Sequence, residues 1–169
     1  SELHVISRNS DKKLELDLKS SYIDRVFFYK SDATNYQDLE NCSKNISLIN
    51  DSNLDILIAN VGDGSMPNNI VNNNSDWKKS WDINFNSSLI TYRVFKKYIK
   101  SGSILFISSI AGIEFLNAPT DYSIAKSAMI SFSKILSHKI APNVRVNVIC
   151  PGNIFIKDGS WDKKLKKSP

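Results

Sequence analysis

Tyr122 and Lys126, in the stretch TDYSIAK, stand four residues apart with small side chains between them. On a helix that spacing stacks the two side chains on one face. An ordinary phenol has a pKa near 10 and is too weakly ionised to serve as a base at neutral pH. A nearby ammonium favours the phenolate, so the pair is suited to proton transfer. Moving a pKa from about 10 to about 7 takes roughly 4 kcal/mol of differential stabilisation. The same spacing recurs in YRVFK, Tyr92 to Lys96, and most of the 22 basic residues are lysine. Spacing alone does not separate the two pairs; the elements that carry them do.

Short β-rich apolar runs alternate with longer stretches of helical period. LHVIS (Leu3–Ser7), RVFFYKS (Arg25–Ser31), LDILIAN (Leu54–Asn60), SILFIS (Ser103–Ser108) and VRVNVIC (Val144–Cys150) read as strands. LDILIAN is almost continuously apolar, as expected of a strand buried on both sheet faces. DKKLELDLKSSYI, NYQDLENCSKNISLI, Ser75–Lys100 and Asp121–Ile140 read as helices, the third opened by Ser75 or Asp76 and stopped by Gly102. The alternation predicts an α/β fold with a doubly wound parallel sheet. Ligands of such sheets bind outside the carboxyl ends of the strands. Asn60-Val61-Gly62, Ser108-Ser109 and the run from Cys150 to Ile154 collect on that rim, and the helix of Tyr122 and Lys126 starts from it. Tyr92 and Lys96 lie about five turns into their helix, near the opposite rim. There the pair is surface packing plus a solvated charge.

A chain of 169 residues, 41% apolar and 23% charged, is sized for one globular domain. No apolar run approaches the roughly 18 residues of a membrane span, and SELHVISRNSDKK does not read as a secretory signal. Cys42 and Cys150 lie far apart and form no metal or redox spacing. They read as buried free thiols in a reducing compartment, so the expected location is cytoplasmic. The net charge of +5 is spread over scattered lysines, densest in DKKLKK, with no zinc spacing and no aromatic RNA-binding motif. Neither a nucleic acid nor a membrane nor a metal is the expected partner.

ANVG, WDINFN, ILFISSIAG, YSIAK and VRVNVICPGNI, in this order and register, resemble the short-chain dehydrogenase/reductase family over essentially the whole chain. Ser109 stands thirteen residues before Tyr122, as in that family. The resemblance implies a Rossmann-type fold and hydride transfer between a nicotinamide cofactor and a carbonyl or alcohol. It implies Tyr122 as acid or base, Lys126 supporting it and holding the cofactor ribose, Ser109 on the substrate oxygen, and Asn84 completing a water-linked proton relay. The residues leave other roles open: a cap or turn for Ser109, a backbone-bonded helix asparagine for Asn84, a turn for Asn60. Asp32 and Ala33 in SDAT match the family segment beside the adenine. Asn60 and Gly62 match its Asn-Asn-Ala-Gly loop, from which Ala59 and Val61 depart; Val61 either crowds the adenosine ribose or reshapes the loop. Pro151, Gly152 and Ile154 match the segment lining the nicotinamide. Where an NAD enzyme carries an acid after its strand, this chain has Ser7 followed by Arg8, and arginine pairs well with a 2′-phosphate. NADP(H) is therefore the expected cofactor, with NAD as the alternative, and an exposed strand-end charge is the other reading of Arg8.

No glycine precedes Gly62. The family's Gly-rich loop, which holds the pyrophosphate at a helix N-terminus, is thus absent, and the resemblance begins at the family's second strand. The closing GSWDKKLKKSP falls within the substrate-covering region, so the last strand is expected to be lacking too. The expected fold is an incomplete sheet that leaves two edges unpaired, changes its strand order or borrows a strand. Two functions follow. One is a reductase acting on a small carbonyl or alcohol, either a keto-sugar or a 3-oxoacyl group. The other is a catalytically inactive binding or scaffold module. In the family the two long helices usually pair, which implies a homodimer or homotetramer.

Overall fold

The structure, a computed structural model, is described over residues 2–9, 17, 18, 25–49, 53–157, 162, 165 and 166. Five short strands run parallel: β1 (Glu2–Ser7), β2 (Arg25–Lys30), β3 (Ile56–Ala59), β4 (Gly102–Ile107) and β5 (Val144–Ile149). They are joined by α1 (Tyr36–Ile49) between β2 and β3, by α2 (Asn74–Trp81) and α3 (Ser87–Phe95) between β3 and β4, and by α4 (Thr120–Ile140) between β4 and β5. The helix expected from DKKLELDLKSSYI lies outside the described residues apart from Asp17 and Leu18, which are helical.

The strands form two sheets rather than one: β1 pairs with β2, and β3, β4 and β5 pair in that order. Registers are in step, from Glu2 opposite Arg25 to Ser7 opposite Lys30 in the first sheet, and from Gly102 opposite Val144 to Ile107 opposite Ile149 in the second. Among the described residues the inner edges of the two sheets, on β1 and β3, are unpaired.

One helical layer holds both sheets together. Leu39, Cys42 and Ile46 of α1, Val94 and Phe95 of α3, Met129 and Leu136 of α4 and Ile104 and Phe106 of β4 form one buried cluster. Ile6 of β1 and Tyr29 of β2 pack against the same cluster. Burial of such side chains contributes about 1.5–3 kcal/mol each.

Several sequence expectations change. β3 is not buried on both faces: Leu57 and Ala59 turn to the helices, whereas Ile56 and Ile58 are 61% and 55% exposed. Its free edge and second face lack cover among the described residues, so the apolar run alternates in burial like a half-buried strand. The long helix over Ser75–Lys100 is segmented, with a π segment at Asp82–Asn86 and a 3-10 turn at Lys96–Tyr98. Its N-cap is Asn73, whose side chain accepts from the Asp76 N–H at 2.9 Å, so neither Ser75 nor Asp76 opens it. Gly102 does not stop the helix, which has ended by Tyr98; it opens β4 with φ of 147°. A Cβ there would lie 2.1 Å from the Asp55 carbonyl oxygen, so the approach of β3 to β4 requires glycine. Cys42 is buried as expected, but Cys150 is only half-buried, because it follows the last residue of β5 at the open rim.

Candidate active site

α4 rises from the carboxyl end of β4, and its first turns carry Tyr122 and Lys126. Three contacts fix that turn against the strand end. The Ser108 hydroxyl donates to the Lys126 carbonyl at 2.7 Å. The Ser127 hydroxyl donates to the Gly112 carbonyl. Gly112 itself lies so close that a Cβ would meet the Lys126 carbonyl carbon at 2.7 Å. The Lys126 side chain then runs inward, and its Nζ donates to the Ile107 carbonyl at 3.0 Å, 5.8 Å from the centre of the Tyr122 ring. Burial pushes the Lys126 pKa down from 10.5 to about 8, opposed by the nearby Cys150 thiol.

Asn84 sits in the π segment and is fully buried. Its Nδ2 donates to the Asp63 carbonyl at 2.8 Å and to the Ser80 carbonyl at 3.0 Å, while its Oδ1 accepts from the Asp63 N–H at 2.8 Å. Such π turns occur often at functional sites. Here the turn presents one asparagine to the backbone of Asp63, in the loop after β3, and of Ser80, one turn earlier in its own helix. Gly62 is where Asn84 and Lys126 converge: a Cβ on it would lie 2.9 Å from Lys126 Nζ and 3.2 Å from Asn84 Oδ1.

Ser109, Tyr122 and Lys126 line one cavity of about 260 Å³ with Asn60, Gly62 and the segment Pro151, Gly152 and Ile154. Ser109 also caps the short 3-10 turn Ile110–Gly112, its Oγ accepting from the Ala111 N–H at 3.2 Å. The cap and cavity positions are thus occupied by the same side chain. The loop after β3 forms another wall, with Gly64 against the Tyr122 ring. That loop is fastened to the start of α4. The buried Asn72 side chain donates to the Pro67 carbonyl at 2.8 Å and to the buried Asp121 carboxylate at 3.0 Å. The other Asp121 oxygen accepts from the Tyr122 N–H at 2.8 Å.

A second cavity, about 250 Å³, opens between the carboxyl ends of β1, β2 and β3. Arg8, Asp32, Ala33, Asn60, Val61 and Gly62 line it, so the two cavities share Asn60 and Gly62. Val61 is exposed on that wall. Asp32 Oδ1 accepts from the Thr34 N–H at 2.9 Å and the Thr34 hydroxyl at 2.8 Å. The Thr34 N–H, then its hydroxyl and the Arg8 guanidinium, hold the Asp32 carboxyl below its usual range despite partial burial. Ser31 also lines this cavity, and its hydroxyl is buried without a hydrogen-bond partner among the described residues. An unmet buried hydroxyl costs about 1–3 kcal/mol.

The twelve residues singled out from sequence thus fall on one rim, eleven lining the adjoining cavities and Asn84 buried behind Gly62. Tyr92 is elsewhere, packed edge-on against Phe132 in the core, and Lys96 is exposed. Ser31, Gly112, Asn72 and Asp121 were not legible as site residues, and Ser108 was legible only as a rim residue. Only the small-residue run SSIAG hinted at the close approach of Gly112. Among the described residues no group of acidic, histidine or cysteine side chains could hold a metal, and no helix is long and apolar enough to cross a membrane.

The chain is 36% identical over 170 residues to the 3-oxoacyl-acyl-carrier-protein reductase of Rickettsia typhi, covering 96% of this chain and 66% of that protein. The corresponding reductase of Rickettsia prowazekii is 35% identical over 167 residues, with coverages of 96% and 66%. The chain therefore spans slightly less than two thirds of the length of these curated relatives. Among solved structures, the Cj0485 dehydrogenase is 28% identical with a TM-score of 0.87, over 98% of this chain and 64% of that one. The 3-oxoacyl-acyl-carrier-protein reductase of Brucella melitensis in complex with NAD is similar in fold, with a TM-score of 0.86 at 20% identity, over 98% of this chain and 68% of that one. The family described as short chain dehydrogenase matches residues 2–160, and on that match, together with the fold, the chain belongs to the short-chain dehydrogenase family.

Proposed function

We propose that residues 1–169 form one partial domain of an oxidoreductase that moves hydride between NADP(H) and a carbonyl or alcohol. The observation that carries this reading is the convergence of Ser109, Tyr122 and Lys126 on one cavity. NADP(H), when bound, supplies or accepts the hydride at carbon. The chain's residues suit its two ends: Arg8 and Asp32 in one cavity, Pro151, Gly152 and Ile154 in the other. No glycine before Gly62 offers a cradle for the pyrophosphate between them.

In carbonyl reduction the Tyr122 hydroxyl gives its proton to the substrate oxygen, and in alcohol oxidation the phenolate takes it back. Ser109 holds that oxygen by a hydrogen bond. Lys126 keeps positive charge beside the phenol below its pKa of about 8 and has donors left, beyond the one on Ile107, for a ribose hydroxyl. Asn84 fixes the Asp63 backbone and the lysine end of the site, where a water chain would return the proton. A 3-oxoacyl thioester suits the cavity better than a keto-sugar. Ile154 lines it, and Phe155 and Ile156 follow as exposed apolar side chains; the Rickettsia relatives are named for that substrate. Exposed Ile124 and Ile135 on α4 support pairing of two copies through that helix.

The test is oxidation of NADPH by the chain with a short 3-oxoacyl thioester. Tyr122→Phe should lower turnover about a hundredfold or more, and a variant as fast as the parent would remove Tyr122 from the reaction. The lack of an early glycine favours a second reading, an inactive binding or scaffold module. Saturable NADPH binding by the isolated chain would refute it.

A further inference from the structure

The loop after β3 runs Gly62-Asp63-Gly64 past both side chains of the proton transfer. A Cβ on Gly62 would lie 2.9 Å from Lys126 Nζ, and one on Gly64 would lie 3.6 Å from the Tyr122 ring. Asp63 therefore sits between the lysine and the tyrosine, and its neighbours on either side have no side chain. Asn84 holds its backbone from both directions, accepting from its N–H and donating to its carbonyl, each at 2.8 Å. The carboxylate is held as well. Its Oδ1 accepts from the Ser65 N–H at 2.9 Å, an Asx turn that closes the loop on itself. Asp63 is half-buried and lines the catalytic cavity, the only acidic residue to do so among the described residues. The cavity thus carries one cation, Lys126, and one anion, Asp63. The proton transfer uses the first and has no need of the second.

We propose that Asp63 is a specificity-determining residue whose charge makes the cavity take neutral 3-oxo esters and thioesters in preference to free 3-oxo acids. This rests on the reading that the cavity reduces a 3-oxoacyl carbonyl. In a free 3-oxo acid the carboxylate stands two carbons from the carbonyl that Tyr122 protonates. With that carbonyl in place, the acid's negative charge lies in the same volume of about 260 Å³ as Asp63. Like charges that close, partly shut off from water, repel far more than they would in bulk solvent. Lys126 alone would draw the acid in, and Asp63 cancels that attraction. An ester or thioester carries no charge at the same place and is indifferent to the carboxylate. Discrimination by a repulsive group costs the favoured ligand little, because the group acts only on the wrong one. The clamp on Asp63 serves this end: a carboxylate free to swing into solvent would lose its effect to screening.

Oxidation of NADPH at pH 7 with ethyl 3-oxobutanoate and with 3-oxobutanoate tests this, read as the ratio of kcat/KM for ester to acid. The parent chain should favour the ester about tenfold or more. Asp63→Asn removes the charge and keeps an acceptor for the Ser65 N–H, and it should lower the ratio about tenfold. Asp63→Glu keeps the charge and should keep the preference for the ester. A loop merely loosened by substitution would slow both substrates alike and leave the ratio where it was. A ratio unchanged in Asp63→Asn, or lowered as far by Asp63→Glu, would overturn the role of Asp63 while reduction of the ester stands. No oxidation of NADPH with the ester by the parent chain would overturn the reductase reading and the inference together.

Discussion

The burial of Lys126 has a consequence that pH reads out. Its pKa of about 8 in the folded chain lies below the ordinary 10.5, so folding penalises its charged form. The penalty is complete below pH 8 and is relieved as pH rises towards 10.5, where the unfolded chain also loses the proton. Lys126→Met should therefore stabilise the chain at pH 7 by up to about 3 kcal/mol, less the lost hydrogen bond to Ile107. The gain should shrink to nothing by about pH 10.5. Thermal melts of both proteins across that range check it, and a gain that grows with pH would contradict the sign. Turnover should have the opposite profile, falling as pH passes about 8 and the ammonium is lost. Gly62→Ala separates site from fold in another way. Its Cβ would press on Lys126 Nζ at 2.9 Å and on Asn84 Oδ1 at 3.2 Å, two polar ends that can yield by a few tenths of an ångström. Stability should change by less than about 1 kcal/mol, while turnover falls about tenfold or more as the ammonium is displaced. Steady-state kinetics beside a melting curve decide it.

At the scale of elements, the site depends on how α4 is fastened to its neighbours. The loop after β3 contacts Tyr122 through Gly64 and is tied back through Asn72 to Asp121, next to the tyrosine. Both side chains of that tie are buried, so breaking it leaves a carboxylate with one partner fewer. Asn72→Ala should cost about 2–3 kcal/mol and speed amide hydrogen exchange across residues 63–72. Unchanged exchange in that loop would show that the tie does not hold the wall. The pattern of apolar residues made legible α1, α4 and the stretch Ser75–Lys100 that holds α2 and α3, because each buries side chains against the strands. It could not reveal the π segment. That distortion arises where Asn84 must reach both Ser80 and Asp63, and the Asp63 contact is distant in sequence.

For the whole molecule, the open inner edges of the two sheets are the dominant feature among the described residues. β1 and β3 each have one side without a strand among the described residues, and Ile56 and Ile58 are exposed beside the β3 edge. Unpaired edges with apolar flanks template pairing with other chains. The isolated chain should self-associate with rising concentration, and Ile58→Lys should reduce that association without loss of stability, since the side chain is 55% exposed. Sedimentation velocity at several concentrations reads both. Association unaffected by Ile58→Lys would place the contact elsewhere, with the exposed face of α4 as the next surface to alter.

The sequence by itself determined the order of strands and helices, the rim on which the chemistry collects and the distinction between Tyr122–Lys126 and Tyr92–Lys96. These follow from local periodicity and from the direction in which each helix leaves its strand. The absence of any glycine before Gly62 was equally plain. Only the tertiary structure decided that two sheets form with open edges, that Ile56 and Ile58 of an apolar strand stay exposed, and that Asn73 caps the segmented helix. It alone brought Asn72 against Asp121. Each of those outcomes depends on which surfaces meet across many residues of chain. Local pattern fixes the side of an element that seeks burial, but the partner on that side is set by packing.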